Sequence, residues 1–390
     1  MLAIVVAYVA LAAAAFSLLY VAACLTVTIG WRSGSGAPQP VREPPVSVLK
    51  PLCGLEPGLD ENLRSICRQL YASAELVVGA RSPDDPALDV ARRVAQEFPA
   101  HAIRIVAGAL PLGANRKIDT VAYLASIARY DLFVIADSDV RVGPGYLHSV
   151  VGELGDPSVG IVSCLYRGRP TGGIWSRLGA MAIDEWFIPS VLISRALGSE
   201  AYCSGTTMAL RRQVLDAVGG FAVLAPLLAD DYELGARVRR LGLRSVIARH
   251  EVVATVHEES LESLVKHELR WMRTVRTVTP LGHAMSWVTY CVPLALLAVI
   301  ANSFEPWTFG LVALALLLRV GLHYAVLLPA GNIEQADSTR RRAVWFVPLR
   351  DLMSLGVWIL SYASRRVTWR GNTMWVRPDG VLAGKEGSPA

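Results

Sequence analysis

Hydropathy divides the chain before any motif is considered. No residue from Met1 to Trp31 is charged, and the apolar run 2–29 exceeds the roughly 20 residues needed to cross a bilayer. A second charge-free run covers 277–304, with His283 inside it, and a third apolar run covers 307–328, with Arg319 inside it and Glu305-Pro306 between the two. Between these ends, short β-branched runs recur at 46–49, 75–79, 103–106, 132–136 and 160–163. Segments of helical spacing alternate with them, at 59–70 and at 87–98, where Leu88, Ala91, Val94, Ala95 and Phe98 share a face. Strand and helix alternating at this interval predict βαβ units, and hence an α/β, doubly wound, mostly parallel sheet flanked by N-terminal and C-terminal transmembrane helices. Such sheets bind ligands beyond the carboxyl ends of their strands.

Composition strengthens the membrane reading: 53% of the 390 residues are hydrophobic and the mean hydropathy is +0.39. The expected organisation is an anchor at 1–31, a turn-rich linker at 32–45, a globular domain at 46–280, a membrane region at 281–370 and a tail at 371–390. The first run lacks the basic start and small-residue cleavage site of a secretory signal, so it reads as a retained anchor. Arg32 and Arg42 follow the first span, Arg270, Arg273 and Arg276 precede the second, and Arg340, Arg341 and Arg342 follow the third. If all three segments cross, these basic groups share one side, which places the domain in the cytoplasm, at the inner membrane in a bacterium.

The apolar stretch 343–363 carries Arg350-Asp351 at its middle and Arg365, Arg366 and Arg370 after it. Basic groups at both ends favour a re-entrant or interfacial segment over a full crossing. Arg319 in the third span has two readings, a side chain snorkelling to the interface or a charge buried in the bundle near Asp351 or a lipid. The Trp-containing stretch 174–197 holds Arg177, Asp184, Glu185 and Arg195 and is too charged to span. It is expected as an interfacial helix that admits lipid, with Trp186 and Phe187 on its lipid side.

Six scattered cysteines show no CxxC or metal spacing, as in a reducing compartment. The net charge of +5 is modest and its basic residues gather beside apolar runs. That pattern suits anionic lipid headgroups rather than nucleic acid, for which no base-reading motif appears. Neither GxGxxG nor the Walker sequence is present, and Lys50-Pro51-Leu52-Cys53-Gly54 stands where a dinucleotide cradle would follow the first strand.

The stretch Val134-Ile135-Ala136-Asp137-Ser138-Asp139-Val140 runs a buried strand into two carboxylates. Isolated carboxylates are costly to bury. Mg²⁺ and Mn²⁺ favour such oxygens and often bridge them to substrate phosphates, although Asp and Ser are also ordinary turn residues. Three further stretches stand with it: Asp84-Asp85-Pro86, Asp230-Asp231-Tyr232-Glu233, and His267-Glu268-Leu269-Arg270-Trp271. Together with Asn115-Arg116-Lys117 and the KPLCG stretch, these motifs resemble, in order from about residue 46 to 276, the membrane glycosyltransferases of the ceramide glucosyltransferase type. Residues 178–184, and HELRW followed by Arg273, look similar to the bacterial hopanoid-biosynthesis glycosyltransferases.

The resemblance implies a GT-A-like domain that uses Mg²⁺ or Mn²⁺ to move a hexose, glucose or N-acetylglucosamine, from a UDP-sugar to a hydroxyl of a membrane lipid, a hopanoid polyol or ceramide. It implies that Asp85, with Asp84 nearby, positions the uracil, that Asp137 holds metal and diphosphate with Asp139 as second ligand, and that Asp231 is the catalytic base of an inverting displacement. A metal-bound diphosphate leaves without a protonating acid. Lys117 and Arg270 would meet phosphate charge, and Gly205, Trp271 and His267 would line the acceptor site; His267 stands where the family has Gln or Arg. Without the resemblance, Asp85 and Asp231 are also natural helix caps. A processive polysaccharide synthase shares these motifs but needs a pore, and a non-enzymatic membrane scaffold would leave the carboxylates as caps.

Overall fold

The computed structural model describes residues 1–34, 43–328, 341–369, 372–377 and 379–383. Most of the expected linker, Arg42, Arg340, Arg370 and the last residues of the expected tail lie outside this set. In chain order the elements begin with helix α1 (Leu2–Arg32), strand β1 (Val46–Leu52), α2 (Leu59–Cys67), β2 (Ala74–Ala80), α3 (Ala87–Glu97), β3 (Ala102–Ala107) and α4 (Arg116–Ile127). They continue with β4 (Leu132–Ile135), β5 (Val140–Arg141), α5 (Tyr146–Glu153), β6 (Val159–Pro170), α6 (Ile174–Ala182), α7 (Ile188–Ala196), β7 (Met208–Arg211) and α8 (Arg212–Ala217). After α9 (Asp230–Arg240) and β8 (Arg244–Val256) come α10 (Leu261–Val278), α11 (Pro280–Met285), α12 (Cys291–Ala301), α13 (Phe309–Leu327) and α14 (Val347–Ser361).

The eight strands form one sheet in the order β3-β2-β1-β4-β7-β6-β8-β5. Its first half, β3-β2-β1-β4, is parallel, as the alternating pattern predicts. The second half is mixed: β7 is antiparallel to both neighbours, β6 and β8 are parallel, and β5 is antiparallel to β8. The strand expected at 160–163 is the start of the twelve-residue β6. Because alternate strand residues face opposite sides, Val48, Val78 and Val134 pack against Leu63, Leu88 and Val150 on one face. Their neighbours Leu49, Val77 and Ile135 pack against Leu124, Leu215 and Leu234 on the other. Both faces are therefore covered, and the open edges of chemistry are the carboxyl ends of β1 and β4.

Among the described residues, three helices are long and apolar enough to cross a membrane: Leu2–Arg32, Pro306–Leu327 and Ala343–Ser361. Leu18, Val21 and Cys24 of α1 pack with Val292 and Ala295 of α12 and Leu322 of α13. The second expected span, 277–304, is not one helix: α10 extends to Val278, and Pro280–Thr289 and Cys291–Ala301 meet at a bend of 67°. By contrast 343–361 is unbroken, yet both its ends touch the globular domain. Ala343 and Val347 pack with Leu178 and Leu264, and Arg276 donates to the Ser361 carbonyl over 2.6 Å, so α14 lies alongside α10. Arg319 does not snorkel; it is buried, 2.8 Å from Asp351 and 3.3 Å from Glu185.

The expected tail and the end of the membrane region need correction. Strands β9 (Arg366–Trp369), β10 (Asn372–Val376) and β11 (Leu382–Ala383) form a small antiparallel sheet. Val367, Val376 and Leu382 close over Leu228 of the globular domain. Short strands of alternating character here carried too weak a periodic signal to be distinguished from a tail.

Candidate active site

The Asp137-Ser138-Asp139 turn leaves β4 at its carboxyl end, and its backbone carbonyls are held from neighbouring elements. The fully buried Lys50 of β1 donates to the carbonyls of Asp137 and Val140 at 2.6 and 2.9 Å. Asn62 donates to the Ser138 carbonyl, and the Thr255 amide donates to that of Asp139. Both aspartates line the cleft, Asp137 with Lys117 beside it. Burial, then the charges of Asp137 and Glu56, push the Asp139 carboxyl up to about 7, and burial pulls Lys50 down to about 8.

The cleft occupies about 950 Å³ and is lined by Asp85, Lys117, Asp137, Asp139, Gly205, Asp231, His267, Arg270 and Trp271, a size suited to a cofactor or nucleotide-sized ligand. Asp85 accepts from the Gly54 amide and from the Ala87 amide at the start of α3, each at 3.0 Å. It thus bonds the first amide of α3 and ties the Lys50–Gly54 stretch to the cleft wall. Asp84 is exposed and does not line the cleft. Lys117 stands in the first turn of α4, whose cap is Asn115; its Nζ lies 2.7 Å from Asp137 and 3.8 Å from Asp230. Burial alone would lower its pKa, but those carboxylates outweigh it and hold the ammonium charged.

Asp231 is the second residue of α9, and its two oxygens accept from the Gly205 and Tyr232 amides at 2.8 and 2.7 Å. Burial, then the adjacent Asp230, push it up to about 6. A Cβ at Gly205 would meet Lys117 Nζ at 2.7 Å and Asp137 Oδ2 at 3.2 Å, so a larger residue there would displace the Lys117 ammonium. The bend between Ser204 and Thr207 therefore presses backbone against three charged groups.

One wall of the cleft is apolar, made by Tyr166, Gly179, Ile183, Val256, Leu264 and Trp271. The expected helix at 174–197 runs from Ile174 to Ala196, with a wide π-type turn, Ile183–Phe187, between α6 and α7, a form often found at functional sites. Trp186 and Phe187 face protein, through a bond from the Trp186 indole to Thr289 at 3.0 Å and ring contacts of Phe187 with Tyr166 and Tyr202. On α10, His267 packs edge-on to Trp271 with centroids 4.6 Å apart. Its Nδ1 is 2.7 Å from Glu258.

Sequence reasoning passed over Lys50, Glu56, Asp230, Glu258 and Tyr166 as site residues, all of which either line the cleft or hold its turn. The KPL and DD stretches signalled the first and third; Glu258 lay in an ordinary polar turn before α10. Among the described residues no three His, Cys, Asp or Glu side chains are grouped as a metal site.

A family model described as glycosyl transferase family 21 matches residues 4–382. Ceramide glucosyltransferase 1 of Caenorhabditis elegans is 23% identical over 336 residues, covering 84% of this chain and 71% of the worm protein. The ceramide glucosyltransferase of Pyricularia oryzae is 23% identical over 426 residues, covering 86% and 85%. Among solved structures, the mannosyltransferase PcManGT from Pyrobaculum calidifontis, in complex with GDP-Man and Mn²⁺, superposes with a TM-score of 0.52 at 19% identity, covering 90% of this chain and 99% of that one. The fold is thus GT-A-like, with apolar helices attached.

Proposed function

Because the chain belongs to glycosyl transferase family 21, we propose that it is a membrane-bound inverting glycosyltransferase moving a hexosyl group from a UDP-sugar to a lipid hydroxyl. The observation that carries the reading is the cleft itself, which holds Lys117, Asp137, Asp139, Asp231 and Arg270 on one side and an apolar wall with Trp271 on the other. Charged diphosphate and greasy acceptor can meet there. Asp231, oriented by two amides and raised toward neutrality, takes the proton of the acceptor hydroxyl as that oxygen attacks the anomeric carbon. Lys117 and Arg270 supply positive charge for the departing diphosphate. Asp85 fixes the wall where the base of the nucleotide sits, with Asp84 outside the cleft.

The donor set fits a hard divalent cation, because Asp137 and Asp139 offer carboxylate oxygens in an acid-crowded turn whose backbone is already satisfied. Mg²⁺ or Mn²⁺ bound there would neutralise diphosphate charge, with the substrate completing the ligands that the protein does not provide. Glucose is the favoured sugar and ceramide the favoured acceptor by the names of the worm and fungal relatives; N-acetylglucosamine and a hopanoid polyol are kept by the HELRW context. The basic groups beside the apolar helices support a cytoplasmic catalytic domain.

The test is direct: the purified full-length protein in nanodiscs, with UDP-glucose or UDP-N-acetylglucosamine and ceramide or a hopanoid polyol, is expected to yield a glycolipid by mass spectrometry. No glycolipid from any pair, with Mg²⁺ and Mn²⁺ both supplied, would overturn the reading.

A further inference from the structure

Glu258 is a buried carboxylate in the cleft wall with no part in the chemistry above. Its place is heavily determined. Its amide accepts no freedom: it donates to Ser176 Oγ of α6 at 2.8 Å, and that hydroxyl donates back to the Glu258 carbonyl at 3.2 Å. One carboxylate oxygen meets His267 Nδ1 at 2.7 Å, and the other accepts from the Ser263 hydroxyl. Burial would raise its pKa, but the bonds from His267 and Ser263 prevail and hold it below the ordinary range, so the group is an anion at neutral pH.

An anionic partner at Nδ1 requires that nitrogen to carry the proton, and the bond made by one ring nitrogen sets the role of the other. The Trp271 edge contact fixes the ring plane. His267 remains 39% exposed at its side chain, lines the cleft, and has no partner at Nε2 among the described residues. In its neutral form the imidazole, protonated at Nδ1 against Glu258, leaves Nε2 as an acceptor at the cleft that His267 and Trp271 both line.

We propose that Glu258 acts as a positioning residue that presents His267 Nε2 as a hydrogen-bond acceptor, so that the lipid used here carries a second donor, a hydroxyl or amide N–H, beside the hydroxyl that takes the sugar. This rests on the glycosyltransferase reading and adds to it a requirement on the acceptor's headgroup. A site built to accept from a headgroup group discriminates against analogues lacking it, because its own polar atom is left unpaired. For one neutral hydrogen bond the discrimination is about tenfold.

The experiment uses the full-length protein in detergent micelles with its UDP-sugar, comparing kcat/KM for dodecane-1,2-diol and dodecan-1-ol. Wild type is expected to prefer the diol by about tenfold. His267→Phe, which keeps a ring against Trp271, and Glu258→Gln, which no longer demands a proton at Nδ1, are expected to bring the ratio near one. His267→Gln, which restores a carbonyl acceptor, is expected to recover part of it; UDP binding by calorimetry identifies which variants are folded. A wild-type ratio near one, a ratio unchanged in folded variants, or a preference for an anionic dodecyl phosphate over the diol overturns the proposal while leaving glycosyl transfer intact. Transfer to neither alcohol and to no other lipid overturns the glycosyltransferase reading, and this inference with it.

Discussion

The amide of Gly205 donates to Oδ2 of Asp231 over 2.8 Å, so the loop that narrows the cleft also aims the carboxylate proposed as base. The Tyr232 amide holds the other oxygen at 2.7 Å. Two bonds leave lone pairs on both oxygens for an acceptor hydroxyl. Burial and Asp230 raise this carboxyl to about 6, with Lys117 opposing them. A base works only when ionised, so kcat/KM is expected to fall about tenfold per unit as pH drops below about 6. Asp231→Asn should lower kcat by about 10²–10⁴ and remove that acid limb from the residual rate. A pH–rate profile flat from 7 to 5 would remove Asp231 from the role.

Gly205→Ala tests the crowding at the same place. The added methyl would stand 2.7 Å from Lys117 Nζ, and the ammonium cannot simply swing away because Asp137 holds it at 2.7 Å. Displacing it breaks the arrangement proposed to meet the diphosphate. The KM for the UDP-sugar is expected to rise about tenfold or more, the loss of one charge-assisted hydrogen bond, with the fold retained. Unchanged donor titration would mean that Lys117 relaxes freely.

Chelation addresses the Asp137-Ser138-Asp139 turn. EDTA should abolish transfer and Mg²⁺ or Mn²⁺ restore it, while Asp137→Asn should resist restoration at millimolar ion. Asp139→Asn should raise the ion concentration for half-activity, since one of two carboxylate ligands is gone. An unchanged half-activity point would assign the ion to Asp137 without Asp139, and full activity in EDTA would remove the metal altogether.

What the sequence made legible follows from how local each signal is. The parallel half of the sheet and the Asp137 turn rest on short β-branched runs and a strand end, which are read within a few residues. The strand β8 is different: its run Arg244–Val256 carries His250 and Glu251 inside the fold. Glu251 is tolerable there because Arg32 and Arg167 bond it, from 219 and 84 residues away. No window along the chain contains that compensation. Glu258 escaped notice for a similar reason, since its meaning depends on a histidine nine residues later and on Ser176 of another helix, 82 residues away. Asp84 and Asp85 are indistinguishable as letters, and the Gly54 amide separates them.

The pair Arg350–Glu268 joins α14 to the helix that carries His267, Arg270 and Trp271, and it gives the sharpest stability test. Two guanidinium nitrogens meet the two carboxylate oxygens at 2.6 and 2.7 Å, and Arg350 also reaches the Leu178 carbonyl of α6 at 3.2 Å. Both side chains are nearly excluded from solvent, at 2% and 9% exposure. Removing one partner from such a pair strands a charge and costs about 3–5 kcal/mol, whereas replacing both by apolar residues is often neutral. Arg350→Met and Glu268→Met are therefore each expected to lower Tm sharply, and the double variant to lie closer to wild type than either. The double variant should nevertheless stay poor in lipid transfer, because methionine packing does not fix the α10 helix as a two-toothed ion pair does. Additive losses in Tm would mean that the pair is not coupled, and wild-type transfer by a stable double variant would mean that α14 does not orient the acceptor wall.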